Sequence, residues 1–278
     1  MERIDNLNQE NNKEKGENVV IHAIFVRHGE KEHDPDNPET ELTLGGEWGS
    51  REFGQSRPKS DMAKPYSSKT LRTEKTAQHA VRQSPTKNKG NLRFREDLSF
   101  IYDEKGKFLK DVMKIKMSVL GDNYEVLNDQ EKEKRLYEAT TKQVDYYLNF
   151  GNQRPDPKTY SPVETAARIA KLIDKYITMS GKLKSGSNID LINATHDFNL
   201  AAFLKEVIIR EVDGKKVKGF KSTKEIGGPP NFNENFEITI DRKDGQDISI
   251  KMIFRGEEYE MDMRRVAELV IIAKKLEN

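Results

Sequence analysis

Apolar and polar positions alternate with two distinct periods along the chain, and the switches between them mark out its elements. Val19 to Val26 is a β-branched, apolar run that ends in polar residues, the pattern of a strand buried on both faces. Leu42-Thr43-Leu44-Gly45-Gly46 then opens a short, weakly patterned helix through about Phe53. Met62 to Tyr66 reads as a brief strand, Lys69 to about Arg82 as a helix, and Leu92 to Phe94 as a further short strand.

The stretch from about Ser99 to Pro157 has a different character. Phe108, Val112, Ile115 and Val119 recur at helical spacing before Gly121. A second helix, Gln130 to Phe150, places Leu136, Val144 and Tyr147 on one face, with Gly151 just beyond its end. So short a pair has little core of its own, so the reading is an inserted helical cap at about 99–157. The alternation resumes after Ser161. Val163, Ala166, Ala167, Ala170, Ile173 and Ile177 form one face of a helix that Gly181 ends, Ile189 to Ala194 is a strand, and Phe198 to Ile209 a helix. Asp213-Gly214 and Asp244-Gly245 are hairpin turns, the second flanked by Phe236, Ile238, Ile240 and by Ile248, Ile250, Met252. A closing helix runs from about Asp262 to Leu276.

Strand–helix alternation of this kind predicts an α/β fold: three layers, α/β/α, around a mainly parallel central sheet, with the helical insertion and a C-terminal β-hairpin. Residues 1–18 carry no apolar period and read as a disordered polar tail; residues 19–278 read as a single domain.

Composition narrows the chemistry. The 278 residues include 48 basic and 47 acidic side chains, a net charge of +1. That balance gives no reason to expect nucleic acid or an anionic membrane as partner. Lys215, Lys216, Lys218, Lys221 and Lys224, with Phe220 as the one interleaved aromatic, read as a solvated hairpin face. The chain has no cysteine, which rules out thiolate nucleophiles, disulfides and cysteine-ligated metals and fits a reducing, cytoplasmic setting. No stretch approaches the roughly 20 apolar residues of a membrane span.

Three strand ends carry reactive side chains. Arg27-His28-Gly29-Glu30 follows the first strand, where ligand sites of open α/β sheets lie. Arginine offers a planar fork to phosphate oxygens, and a neutral imidazole is a competent nucleophile. Alone, the tetrapeptide also reads as a surface turn. Ser67-Ser68-Lys69-Thr70-Leu71-Arg72 enters the second helix, with Ser67 or Ser68 as cap and Arg72 near the free N–H groups of the first turn. Taken singly, Arg72 is an ordinary exposed helical arginine. Thr195-His196-Asp197 closes the later strand, and Asp197 fits two readings, general acid or helix N-cap. His22, His33 and His79 are isolated and form no metal-ligand cluster.

In this order the motifs resemble the histidine phosphatase, or phosphoglycerate mutase-like, superfamily. Arg27-His28-Gly29 matches its signature, Leu42-Thr43-Leu44-Gly45-Gly46 its Leu-Thr-x-x-Gly, and Ser67, Ser68, Arg72, Thr76 and Ala77 its Ser-Ser-x-x-x-Arg-x-x-x-Thr-Ala. His196 takes the place of its second histidine, so the resemblance spans about Val19 to Leu204 around the insertion.

The resemblance implies that His28 is phosphorylated, that Arg27, Arg72 and His196 clamp the phosphate, and that no metal or other cofactor takes part. For the proton donor it offers both Glu96, in Phe94-Arg95-Glu96, and Asp197; the early motifs favour Glu96. Lys31 is placed to touch substrate. Lys31-Glu32-His33-Asp34-Pro35 stands where the sugar-phosphate mutases of the family carry Ser and Trp-Asn, which favours hydrolysis over phosphate return. The partner implied is a small phosphorylated substrate or a phosphoprotein; substrate identity and oligomeric state have no signature. A phosphomutase and a non-catalytic phospho-ligand binder are the competing readings.

Overall fold

The computed structural model describes residues 15–32, 40–243 and 247–277. In chain order the elements are β1 (Val19–Arg27), α1 (Leu44–Gln55), β2 (Met62–Ser67), α2 (Leu71–Gln83), β3 (Asn88–Lys89), β4 (Arg93–Phe94), α3 (Lys107–Leu120), α4 (Asp129–Leu148), α5 (Pro162–Ser180), β5 (Asn188–Thr195), α6 (Asp197–Val207), β6 (Ile208–Val212), β7 (Lys215–Lys218), β8 (Asn235–Arg242), β9 (Ser249–Phe254), β10 (Glu257–Met261) and α7 (Met263–Leu276). The chain divides into two compact units, one of residues 1–99, 171–195 and 232–261, the other of residues 100–170, 196–231 and 262–278.

The first unit is built on a mixed sheet. β3 and β4 pair with β2, β2 with β5 and β5 with β1, all in parallel. β8, β9 and β10 then continue from β1 in antiparallel register, so the sheet is parallel on one side of β1 and antiparallel on the other. β1 is central because it is apolar on both faces. Ile24 and Val26, with Ile192 and Ala194 of β5, pack against Ala77, Ala80 and Val81 of α2. On the opposite face Phe25 stacks on Phe236 at 5.1 Å, and Tyr176 of α5 donates its hydroxyl to buried Asn193 at 2.5 Å. Helices on both faces make the expected three layers.

The expected β8–β9 hairpin forms, with Ile238 opposite Met252 and Ile240 opposite Ile250. Its turn, Asp244-Gly245, lies outside the described residues, as does His33. The Asp213-Gly214 turn joins β6 to β7 with φ of +51° and +72°, the paired positive values of a type I′ hairpin. β3 and β10 had no signal, being a two-residue strand and one of mostly charged residues. Lys15 to Asn18 are already built in: Lys15 bridges Lys184, and the Gly16 amide donates to the Leu183 carbonyl at 2.8 Å.

The second unit gives the inserted helices their core. Phe100, Phe108, Tyr147 and Phe198 of α6 pack ring against ring, with Phe100 and Phe198 stacked at 4.8 Å and Tyr147 edge-on to both. Asp145 of α4 accepts the Ser222 hydroxyl at 2.6 Å and the Thr223 amide at 2.8 Å. Val144 and Tyr147 are buried as their spacing required, but Leu136 is 37% exposed. The apolar face of α4 therefore covers only its C-terminal half. The helix expected over Phe198–Ile209 stops at Val207, because the β-branched pair Ile208-Ile209 opens β6, with Ile209 opposite Lys218.

Candidate active site

Arg27 and His28 stand where β1 leaves the sheet, and three backbone hydrogen bonds hold them there. The Arg27 amide donates to the Glu234 carbonyl at 2.9 Å, the Arg27 carbonyl accepts from the Asn233 amide at 3.2 Å, and the His28 amide donates to the Thr195 carbonyl at 3.0 Å. Both side chains are buried, Arg27 at 9% and His28 at 7% exposure.

The His28 ring is oriented by its own chain. Nδ1 lies 2.7 Å from the Gly29 carbonyl oxygen, which only accepts, so Nδ1 carries the hydrogen. In the neutral imidazole that leaves the lone pair on Nε2, the nitrogen with nucleophilic character.

The Gly29 amide donates to Thr76 Oγ1 at 2.9 Å, and that hydroxyl donates to the Arg72 carbonyl at 2.8 Å. One threonine side chain thus connects the His28 turn to the first turn of α2, where Arg72 sits. A Cβ on Gly29 would lie 2.6 Å from the Gly46 carbonyl oxygen, and one on Gly46 2.1 Å from the Glu30 carbonyl oxygen. Two glycines let the start of α1 press against the His28 turn. Thr43 completes the junction: it caps α1 by accepting from the Gly46 amide at 2.9 Å and donates to the Glu30 carboxylate at 3.0 Å. The spacing of Leu42-Thr43-Leu44-Gly45-Gly46 is the spacing of this junction.

Lys31 pairs by its backbone with Leu42 and reaches Thr40 Oγ1 at 3.5 Å. The capping assignment of Ser67 or Ser68 is corrected. Thr70 occupies the N-cap of α2 without a side-chain cap bond, while buried Ser68 lies 2.8 Å from Thr73 Oγ1 inside the turn. A β2 strand that runs on to Ser67 uses both serines before the helix begins.

Glu96 is exposed in a short 3₁₀ turn, Glu96–Leu98, at the end of β4. The turn is anchored twice at the strand ends: the Arg95 amide donates to the Ser67 carbonyl at 2.9 Å, and Thr195 Oγ1 donates to the Leu98 carbonyl at 2.6 Å. Thr195 therefore holds both the His28 turn and the Glu96 turn. Arg95 stacks over the Tyr66 ring at 4.1 Å. In the first unit, Arg27, His28, Arg72 and Glu96 thus lie at the carboxyl ends of the parallel strands.

In the second unit, His196 is 6% exposed and occupies the N-cap position of α6. Asp197 is the first helical residue rather than the cap, and its Oδ1 accepts from the Phe198 amide at 2.9 Å. The cap reading of Asp197 is corrected by one position, although its carboxylate does satisfy a first-turn N–H.

Asn233 and Phe232 were not legible as site residues, because they reach the end of β1 only through tertiary contacts, the Asn233 amide on the Arg27 carbonyl among them.

A family model described as "Histidine phosphatase superfamily (branch 1)" matches residues 23–99, the segment that holds Arg27-His28, Arg72 and Glu96. No curated protein matches the chain. Similar solved structures include phosphoglycerate mutase from Bacillus anthracis str. Sterne, at 16% identity over 91% of this chain and 98% of that one, TM-score 0.47. Another is the mycobacterial glucosyl-3-phosphoglycerate phosphatase, at 13% identity over 84% and 98%, TM-score 0.46. A third is phosphoserine phosphatase from Entamoeba histolytica in complex with 3-phosphoglyceric acid, at 16% identity over 87% and 95%, TM-score 0.46.

Proposed function

We propose that this chain, whose residues 23–99 match the histidine phosphatase superfamily, is a phosphomonoester hydrolase that works through a phosphohistidine on His28 and needs no metal. The observation that carries the reading is the hydrogen bond from His28 Nδ1 to the Gly29 carbonyl at 2.7 Å. It supports Nε2 as the attacking atom and fixes the ring in a buried site beside an arginine.

In the proposed reaction, Nε2 attacks phosphorus, the P–O bond to the organic group breaks, and the departing oxygen takes a proton from a carboxylic acid. Water then attacks the phosphohistidine, the P–N bond breaks, its proton passes to the same carboxylate, and inorganic phosphate leaves. Arg27, Arg72 and His196 stabilise the charge on the transferring group, which is the largest requirement of such a displacement. Lys31 serves the substrate's remaining polar groups.

Glu96 is the proposed donor, because Arg27-His28-Gly29 and the Ser67–Ala77 motif resemble the branch of the family that uses a glutamate after the strand following the arginine helix, where Phe94-Arg95-Glu96 stands. Hydrolysis is favoured over phosphate return by Lys31-Glu32-His33-Asp34-Pro35, which stands where the sugar-phosphate mutases of the family carry Ser and Trp-Asn. The substrate is a small phosphorylated molecule or a phosphoprotein.

The test is hydrolysis of 4-nitrophenyl phosphate with a chelator present. Wild type turns over, His28→Ala does not, and Glu96→Gln loses most activity on poor leaving groups while Asp197→Asn loses less. No turnover by wild type at any pH from acid to neutral sinks the hydrolase reading. Activity that survives in His28→Ala sinks the mechanism.

A further inference from the structure

Phe232 lies three residues before the start of β8, carries no sequence signal, and is 43% exposed. Its ring nevertheless has defined neighbours in the first unit. The Arg27 guanidinium carbon lies 4.1 Å from the ring centroid, and the His28 imidazole lies 5.8 Å away centroid to centroid, tilted by 44°.

The backbone that presents the ring is held on both sides. Asn233 adopts φ +58°, its amide donates to the Arg27 carbonyl at 3.2 Å, and its Oδ1 lies 2.8 Å from the hydroxyl of fully buried Ser50. A Cβ on Gly49 would stand 2.5 Å from Asn233 Nδ2, so α1 reserves space for this side chain. A left-handed asparagine locked in this way fixes the residue before it.

We infer that Phe232 is a positioning residue for the phosphate site, acting through Arg27. The inference rests on the histidine phosphatase reading, in which Arg27 is a phosphate ligand, and deepens it. The donors of a guanidinium all lie in its plane, whereas its faces are nearly bare of hydrogen-bonding capacity. A ring over the guanidinium carbon therefore does not compete for the in-plane N–H groups that would meet phosphate oxygens. It also removes rotations about the side chain that the fork would lose on binding, and it excludes water from that face. The attraction comes from the ring's negative face, so an aliphatic residue of similar bulk covers Arg27 without holding it.

The experiment compares wild type with Phe232→Tyr, Phe232→Leu and Phe232→Ala. It reads calorimetric Kd for inorganic phosphate, kcat and KM for 4-nitrophenyl phosphate, and Tm. Phe232→Tyr is expected to keep the wild-type Kd. Phe232→Leu should weaken phosphate about two- to fivefold, as loss of one partly exposed cation–π contact implies, with KM rising in step and kcat falling less. Phe232→Ala should lose more, and Tm should change little in all three because the ring is half outside the core.

Unchanged phosphate binding in Phe232→Leu overturns the inference, as does an equal loss in Phe232→Tyr, which would point to packing shape and not to the ring face. If wild type binds phosphate but hydrolyses nothing, the hydrolase reading fails while the binding series still decides the role of Phe232. If wild type binds no phosphate, both fall.

Discussion

At the scale of the residue, the site depends on groups with no reactive chemistry of their own. Thr76 accepts the Gly29 amide and donates to the Arg72 carbonyl, so its hydroxyl spans two motifs far apart in the chain. Thr76→Val leaves a buried N–H without an acceptor, at a cost of about 1–3 kcal/mol. The expected outcome in denaturant titration is that loss, with a larger fractional loss in kcat/KM; Thr76→Ser should recover most of both. Gly46 is equally constrained, since an added methyl meets the Glu30 carbonyl oxygen at 2.1 Å, backbone against backbone. Gly46→Ala is expected to cost roughly 1–3 kcal/mol and to lower kcat by shifting the His28 turn, although α1 itself gains helix propensity. A variant more stable than wild type would refute the close approach. Gly29 and Gly46 were legible as turn and motif residues, but their mutual contact was not, because it joins two turns through space.

At the scale of the element, burial decided what periodicity left open. α4 shows the limit of a spacing argument: Leu136, Val144 and Tyr147 share a face by sequence, yet only the last two are buried, with Tyr147 edge-on to Phe198 of α6. Leu136→Lys should shift stability by no more than about 0.5 kcal/mol, while Val144→Ala should cost about 1–3 kcal/mol through lost burial and an unfilled cavity. Paired thermal melts check both, and equal effects would contradict the half-buried face. β1 was legible from its β-branched, apolar run, and β8–β9 from alternation. β10 was not, because its charges leave no period for a strand whose pairing to β9 comes from backbone hydrogen bonds.

At the scale of the whole molecule, the charges buried under the first unit's sheet govern its response to pH. Glu237 is gripped by His22 at 2.6 Å and by Arg57 at 2.8 Å. Burial opposes its charge, but the hydrogen bonds from His22 and Arg57 prevail and pull its pKa down to about 2. Asp190, fully buried with Arg57 Nε 4.0 Å away, is pushed the other way, chiefly by desolvation. The signs differ. Glu237 adds stability that is fully present above the ordinary carboxylate range and is lost as pH falls toward 2. Asp190 subtracts stability once pH rises above that range, because the folded state then holds a charge it disfavours. Glu237→Gln should therefore cost about 3 kcal/mol at pH 7, by leaving Arg57 without its close partner, and the deficit should shrink in acid. Asp190→Asn should match or exceed the wild-type Tm at pH 7, with the advantage vanishing near pH 3. Melts from pH 2 to 8 decide it, and a neutral-pH loss in Asp190→Asn as large as that in Glu237→Gln would overturn the assignment. The sequence marked His22 only as isolated, because its partner lies on a strand reached only through the β1–β8 pairing.

The sequence by itself determined the α/β alternation, the strand ends that bear Arg27-His28 and His196, and Arg72 in the first turn of a helix. Each of these follows from local period, or from a residue type that a strand end or helix start demands. Only the tertiary structure decided the tautomer of His28, the threonines that couple its turn to the neighbouring elements, and the ring of Phe232 on Arg27. Those depend on which backbone atoms the sheet brings within hydrogen-bond or stacking distance. That is a property of register between distant strands, and no local pattern records it.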